Sequence, residues 1–141
     1  MHQRIMHGQC YRRGNGQPYT RKEYIKGKPQ IKIAKFHGGQ KGKYDFSVQL
    51  MLNEKLQIRH MAIESTRLAA NKTLEKTVGE TGYWSRLRIY PHVLLRENKM
   101  IAAAGADRLQ EGMRRAFGKA VSLAARVKRG QCIMEMQVKK E

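Results

Sequence analysis

The hydrophobic period of this sequence changes at Asn53. Before Asn53, apolar and polar residues alternate, which predicts a strand with one buried face. The apolar positions of that strand are Phe46, Val48, Leu50 and Leu52. Asn53 is a suitable helix N-cap, and we predict a helix over 54–78 that ends before Gly79. Its expected buried stripe follows three- and four-residue steps through Ile58, Met61, Ala62, Ser65, Leu68 and Ala69.

Shorter strand patterns lie on both sides of the predicted helix. They cover 31–36, 86–89, 93–96, and a closing hairpin made of 124–127 and 132–138. Short connections favour antiparallel pairing of these strands. We therefore predict an α+β fold, a mostly antiparallel sheet sandwich with one long helix packed on it.

The length of 141 residues fits one domain. We expect residues 31–141 to form it, because residues 1–30 have little apolar periodicity and several glycines and prolines. That N-terminal part is predicted to be an extended basic arm. Within the domain, 102–119 is longer than an ordinary connection between strands and is predicted to be a long loop.

Positive charge indicates the class of partner. Lys and Arg number 29 against 11 acidic residues, which leaves a net charge of +18. Nucleic acid is the usual partner of such a chain, because neutralising phosphates releases condensed counterions. No apolar run approaches the roughly 20 residues that span a membrane, so a membrane partner is not expected.

The arm combines basic residues with tyrosines. Arginines can bind phosphates while tyrosines stack on bases or pack on sugars. The alternative is a tail whose tyrosines only dock on the domain. The basic residues of the arm are Arg4, Arg12, Arg13, Arg21, Lys22, Lys26 and Lys28, and its tyrosines are Tyr11, Tyr19 and Tyr24.

Further candidates lie in the domain. Arg86 and Arg88 occupy the polar face of one predicted strand, where two guanidinium groups can bind successive phosphates; an ordinary solvated face is the alternative. Arg59 on the predicted helix is a weaker candidate. The loop adds glycine flexibility and a set of cations, although a short packed helix would also suit its alanine-rich start. These cations are Arg108, Arg114, Arg115 and Lys119.

No catalytic or metal-binding motif stands out. The sequence lacks a phosphate-binding P-loop, a nucleophile elbow and a zinc-protease motif. His60 and Glu64 share a helix face, and Asp107 and Glu111 form an acidic pair, but each has a simpler explanation in surface contacts or local ion pairs. Cys10 and Cys132 have no zinc-binding spacing. We expect no enzyme activity, no cofactor and no small-molecule substrate.

Four stretches of the sequence together resemble one protein family. In order, they are CYRRGNGQPYTRKEYIKGKPQIKI, LQIRHMAIESTRLAANK, RIYPHVLLRENKM and AGADRLQEGMRRAFGK. The family is the universal large-subunit ribosomal protein that is counted sixteenth in bacteria and tenth in archaea and eukaryotes. The resemblance covers the chain from about Cys10 to Val138 and looks most like the archaeal form.

The resemblance implies an α/β sandwich with a hammerhead-like strand arrangement, located in the ribosome of the cytoplasm. Its implied partners are large-subunit rRNA, A-site and P-site tRNA, and neighbouring ribosomal proteins. The loop matching Ala103–Lys119 would extend toward the peptidyl transferase centre, and the resemblance implies that the loop (102–119) is mobile when tRNA is absent. The arm residues that the resemblance places against rRNA are Tyr11, Arg12, Arg13, Tyr19, Arg21 and Lys22. Contacts before Cys10 are not carried over, because the start of this chain departs from the family. Family members also usually continue beyond the position of Glu141 into a helix and a basic tail.

Two other classes of function fit parts of the pattern. A non-ribosomal architectural or regulatory protein would share the charge and the tyrosines, and preference for duplex DNA over structured rRNA would identify it. An RNA-processing enzyme would need an acid–base or metal cluster, which the motifs do not supply.

Overall fold

The computed structural model describes residues 9–14, 16–97 and 118–139. The helices in this part of the chain are α1 (Gln9–Arg12) and α2 (His60–Val78), with a 3-10 turn at Lys22–Tyr24. The strands are β1 (His37–Gly39), β2 (Phe46–Met51), β3 (Leu56–Arg59), β4 (Tyr83–Leu87), β5 (Val93–Glu97), β6 (Lys119–Val127) and β7 (Cys132–Val138). The predicted α+β fold class, with antiparallel strands and one long helix, is confirmed. The division into an arm and a domain stays a prediction.

The strands form two sheets. Sheet A has the order β1-β4-β7-β2 and sheet B the order β3-β6-β5, and every pairing is antiparallel. Consecutive strands β6 and β7 therefore lie in different sheets, and the predicted hairpin at 124–138 is wrong. The turn between them pairs instead with the end of β2: Gly130 donates to the Leu52 carbonyl at 2.7 Å, and Leu52 donates to the Gln131 carbonyl at 3.3 Å.

The predicted helix begins six residues too early. Leu56–Arg59 is a strand paired with β6, and the N-cap position is Arg59 rather than Asn53. The reason is the hydrophobic period of this segment. Leu56 and Ile58 alternate with polar residues, and this period of two is typical of a strand. The C-terminal prediction is confirmed, since Gly79 has a φ of 75° and its N–H donates to the Glu75 carbonyl.

The buried face of α2 also differs from the predicted stripe. Met61 and Leu68 are 39% and 53% exposed. The buried residues of the helix are His60, Ile63, Arg67 and Asn71. Three of these four are polar, and each has a hydrogen-bond partner, which lets them lie inside. The helix packs on β4 of sheet A and on β3 and β6 of sheet B, so it closes the space between the sheets.

The main core lies between α2 and the two sheets. It contains Ile33, Ile63, Leu87, Ile89, Ala125, Val127, Ile133 and Met134. Residues 31–36 contribute Ile33 but do not form the predicted strand; Phe36 accepts one hydrogen bond from Leu87, and the strand β1 begins at His37. Burial of Ile33 thus holds residues 31–36 in place without a regular ladder of backbone hydrogen bonds.

Strand β2 is exposed along its whole length. The strand predicted over 46–52 is present, but Phe46, Val48 and Leu50 are 51%, 51% and 39% exposed. Their burial was predicted wrongly. Strand β2 is at the edge of sheet A, at the far end from β1, whereas the helix packs on β4.

A smaller core holds the N-terminal segment on the outer face of sheet B. Tyr11 is 3% exposed and packs with Leu95 and Ala124. Farther along, Leu94 donates to the Tyr19 carbonyl at 3.1 Å. Residues 11–14 and 16–19 therefore cover part of sheet B, and Arg13 is brought beside Arg126 of β6.

Candidate nucleic-acid interface

Arg126 joins the N-terminal segment to sheet B. Its Nε donates to Gln57 Oε1 at 3.1 Å, and its Nη1 donates to the Gly16 carbonyl at 2.8 Å. Gln57 in turn donates from Nε2 to the Tyr11 carbonyl at 3.0 Å. A Cβ on Gly14 would lie 2.8 Å from Arg126 Nε, so the chain passes close to the guanidinium at a residue that has no side chain.

A groove beside this junction is lined by cations. Its volume is about 530 Å³. The polar side chains that line it are Arg13, Lys55, His92, Arg126 and Lys128. No acidic side chain is among the described residues that line it. A concave surface with positive charge from three separate segments fits a phosphate backbone, because a polyanion relieves the mutual repulsion of the cations.

Tyr19 is held by neighbouring groups. The Arg96 guanidinium carbon lies 4.1 Å from the centroid of the Tyr19 ring, in a cation–π contact. The Tyr19 hydroxyl donates to the Tyr24 carbonyl. One ring face is therefore occupied by Arg96, and Tyr11 is buried. Both tyrosines contribute to docking of the segment, which was the alternative considered for them.

The remaining arm cations differ in their surroundings. Arg12 forms an ion pair with Glu54 at 3.2 Å, with both side chains more than half exposed, so the pair contributes little stability. Arg13 lines the groove and is exposed. Arg21 is exposed, and its carbonyl accepts from Tyr24. Lys22 lies in the 3-10 turn, and its side chain is outside the described part.

Arg86 lies on β4 and Arg88 follows directly after the strand, and the two arginines differ in their partners. The predicted alternation is confirmed, since Leu87 and Ile89 are each 5% exposed while Arg86 and Arg88 are exposed. Arg88 faces Glu135 at 3.7 Å, whereas Arg86 lies opposite Glu135 in the β4–β7 register. Glu135 therefore pairs with Arg88, and Arg86 is its cross-strand neighbour on the outer face of sheet A.

The other predicted residues are placed as follows. Arg59 is half-buried at the start of α2, and Lys119 is exposed at the first position of β6. Arg108, Arg114 and Arg115 lie outside the described residues.

The sequence-based search missed Lys55, Arg126 and Lys128. The strand pattern of 56–59 would have identified them, because it pairs that segment with β6 and brings the flanking lysines together.

His60 and Glu64, weighed as metal ligands, have structural roles. His60 Nδ1 accepts from the Lys32 N–H at 3.3 Å, and Nε2 lies 3.3 Å from Ser122 Oγ. Glu64 accepts two hydrogen bonds from Arg67, at 2.6 and 3.0 Å. Burial, followed by the charges of Lys32 and Arg59, lowers the pKa of His60, which keeps the imidazole neutral. The Arg67 hydrogen bond lowers the pKa of Glu64.

Among residues 9–14, 16–97 and 118–139, no three His, Cys, Asp or Glu side chains are grouped to hold a metal ion. No helix in these ranges is long and apolar enough to cross a bilayer. Burial raises the pKa of Tyr83 to about 12, with a further contribution from its hydrogen bond to Glu75, so its hydroxyl is a fixed donor.

Comparisons with known proteins agree with the resemblance seen in the sequence. Residues 14–141 match the model of the family described as ribosomal protein L16p/L10e. The chain is 55% identical over 133 residues to the large ribosomal subunit protein uL16 of Staphylothermus marinus, with 94% of this chain and 76% of that protein covered. The protein of the same name from Hyperthermus butylicus is 57% identical, with 90% and 71% covered. That from Metallosphaera sedula is 53% identical, with 95% and 78% covered. This chain belongs to the L16p/L10e family of ribosomal proteins.

Proposed function

We propose that this chain is a structural constituent of the large ribosomal subunit and that it binds large-subunit rRNA through the cationic groove. The observation that carries the proposal is the convergence of Arg13, Lys55, Arg126 and Lys128 on one concave surface. The names of the uL16 relatives support the ribosomal setting. In that setting the chain works in the cytoplasm, and its role is to hold RNA in place rather than to catalyse a reaction.

The groove is suited to the RNA backbone rather than to a small molecule. Its cations come from the N-terminal segment, the approach to β3 and the end of β6, so they are fixed relative to one another by the β3–β6 pairing and the Arg126 hydrogen bonds. The strand pairing fixes the backbone positions of these cations, and hydrogen bonds fix the Arg126 guanidinium, so the positive charges are already close together before binding, which favours a shaped polyanion over diffuse counterions.

The test compares two double variants that remove the same charge. Lys55→Ala/Lys128→Ala alters the groove, and Lys72→Ala/Lys76→Ala alters exposed lysines of α2. Binding of the full chain to a large-subunit rRNA fragment is measured over a range of salt concentrations. The groove variant should lower the slope of log affinity against log salt by about two, one for each lost phosphate contact. Equal slopes for both variants would contradict the proposed surface.

A finer placement rests on the family resemblance. We propose that the protein lies near the elbow of the A-site tRNA and that the loop over 102–119 extends toward the peptidyl transferase centre. The motif AGADRLQEGMRRAFGK, within the range that matches the family, supports this placement. A photo-crosslinker at position 114 in assembled ribosomes should capture tRNA or rRNA of that centre. Crosslinks only to distant rRNA would overturn the placement.

The competing function is a nucleic-acid-binding protein that acts outside the ribosome. Sedimentation of cell extracts distinguishes the two. A ribosomal constituent should sediment with large subunits and stay there through a moderate salt wash. Recovery only in the free soluble pool, or a preference for duplex DNA over structured rRNA, would favour the competing function.

A further inference from the structure

The single tryptophan of the chain lies on the outer face of sheet A. Strand β4 alternates, and its inner residues are fixed by α2: the Tyr83 hydroxyl donates to Glu75 at 2.8 Å, and Ser85 Oγ donates to Asn71 Oδ1 at 2.8 Å. Because successive strand residues point to opposite faces, Trp84 and Arg86 point away from the helix. Trp84 is only partly buried there.

Trp84 is stacked on one neighbouring ring. The centroids of Trp84 and His37 are 6.2 Å apart, and the rings are inclined by 27°. His37 lies diagonally across the β1–β4 pairing, directly opposite Arg86, while Gly39 lies opposite Trp84. Gly39 has no side chain to cover the indole on the side of the sheet edge. Two features exclude a side chain at Gly39. Its φ is 69°, and a Cβ would lie 2.2 Å from the Tyr83 carbonyl oxygen.

The groups around the two rings are polar. Across β4 and β7, Gln137 lies opposite Trp84 and Glu135 opposite Arg86. On β2, Ser47 and Gln49 continue the same two rows of the sheet. These rows therefore contain two aromatic rings, one exposed guanidinium, several amide or hydroxyl groups and the carboxylate of Glu135, which lies 3.7 Å from Arg88, but no aliphatic side chain. An apolar protein surface would leave these polar groups without partners, whereas a nucleobase offers a ring to stack and polar edges to hydrogen-bond.

We propose that Trp84 and His37 form a stacking platform for one unpaired RNA base, with Arg86 bound to the adjacent phosphate. This inference rests on the proposed function, since it needs RNA as the partner. It assigns a second RNA contact on sheet A, separate from the groove on sheet B. Every base has a ring face, so the platform selects for an unstacked base rather than for a particular sequence.

The fluorescence of Trp84 tests the inference directly, because the chain has no other tryptophan. The full chain is titrated with a short single-stranded RNA, with the same RNA made abasic, and with heparin, a polyanion without bases. Stacking predicts quenching by the intact RNA and little change with the other two. If all three polyanions bind and none quenches, or if all quench equally, the platform is absent although RNA binding persists.

Variants provide a second readout. Trp84→Phe keeps an aromatic ring, and Trp84→Leu keeps only an apolar side chain; both are checked for cooperative unfolding before use. Affinity for the single-stranded RNA should fall about tenfold in the leucine variant and less than about threefold in the phenylalanine variant, with an unchanged salt slope in both. Equal losses in the two variants would overturn stacking. Absence of RNA binding by the unaltered chain would instead refute the proposed function itself.

Discussion

Gln57 and Arg126 face each other across the β3–β6 pairing, and each side chain also holds a backbone carbonyl of the N-terminal segment. Their mutual hydrogen bond measures 3.1 Å, and their bonds to Tyr11 and Gly16 measure 3.0 and 2.8 Å. The same two side chains therefore join neighbouring strands of sheet B and hold the backbone of the N-terminal segment at Tyr11 and Gly16. Because the segment forms one wall of the groove, the shape of the groove depends on them as well.

Replacement of Arg126 should loosen the segment. Arg126→Ala removes two hydrogen bonds from a charged donor that is half-exposed, and we expect it to lower the free energy of unfolding by about 1–2 kcal/mol. Urea unfolding measures the loss, and limited proteolysis between Arg13 and Arg21 should become faster. The control Arg129→Ala, at an exposed turn position, should change stability by less than about 0.5 kcal/mol. Unchanged proteolysis in the Arg126 variant would show that the segment is held by other contacts.

Gly39 and Gly130 share a left-handed backbone but differ in their surroundings. A Cβ at Gly39 would lie 2.2 Å from the Tyr83 carbonyl oxygen, whereas a Cβ at Gly130 would meet open space. Gly130→Ala should cost about 1 kcal/mol, the ordinary penalty of that backbone region. Gly39→Ala adds a backbone clash and should cost at least about 3 kcal/mol. Thermal or urea unfolding compares them, and equal losses would contradict the close approach of β1 to β4.

Asn71 and Ser85 join α2 to sheet A through one buried hydrogen bond of 2.8 Å. Ser85→Ala leaves the Asn71 oxygen without this donor and should cost about 1–3 kcal/mol. Asn71→Leu should cost a similar amount. The double variant removes both polar groups and should lose less than the sum of the two single losses, by at least about 0.5 kcal/mol. Strict additivity in a double-mutant cycle would show that the two side chains do not interact.

Because His60 is buried, we predict that the free energy of unfolding decreases in mild acid. Its pKa is lowered in the folded state, from an ordinary value of 6.5, by burial and then by Lys32 and Arg59. Above pH 6.5 the imidazole is neutral in both states and has no effect. As the pH falls through 6.5, the unfolded chain binds a proton that the folded chain resists, so the free energy of unfolding decreases.

The measurement is urea unfolding between pH 7.5 and 5.5. His60→Gln should flatten this part of the pH dependence, whatever its effect on overall stability. A slope that persists in the His60 variant would assign the proton uptake to another group.

Arg114 and Arg115 are expected to be needed for translation but not for folding. Arg114→Ala/Arg115→Ala is expected to change the free energy of unfolding by less than about 0.5 kcal/mol, as for residues outside a core, while it impairs translation by ribosomes that carry the variant. Melting of the free protein and peptide synthesis by the purified ribosomes measure the two effects. A large fall in melting temperature would show that these arginines are structural.

The sequence predicted those elements whose pattern depends on local chemistry. The end of α2 at Gly79 and the alternation of Leu87 and Ile89 with their arginines were correct. The sequence failed where a pairing between distant residues decides the outcome. Residues 56–59 directly precede a helix and were predicted to belong to it, but pairing with β6 makes them a strand. The turn at Gly130 resembles a hairpin, but its backbone bonds to Leu52 place β6 and β7 in separate sheets.

The candidate site shows the same division. Charge and tyrosines identified the N-terminal segment as important, and Arg13 is indeed in the groove. Lys55, Arg126 and Lys128 were not identified, because only the β3–β6 pairing brings them beside it. Tyr11 was expected at the RNA, but its ring lies on Leu95 and Ala124. A tyrosine among arginines suits either environment, and the apolar outer face of sheet B determines which one it takes.

The polar residues on the inner side of α2 determine its rotation about its own axis. Met61 and Leu68 lie on another side, about a third of a turn away, and would offer more apolar area to the core. Turning the helix to bury them would separate Asn71 from Ser85, and His60 from Lys32 and Ser122. Ser85 and Ser122, each 1% exposed, would stay buried without these partners, which opposes the gain from burying two apolar side chains. The helix is thereby restricted to one orientation, and uniqueness of packing is obtained at the expense of apolar burial.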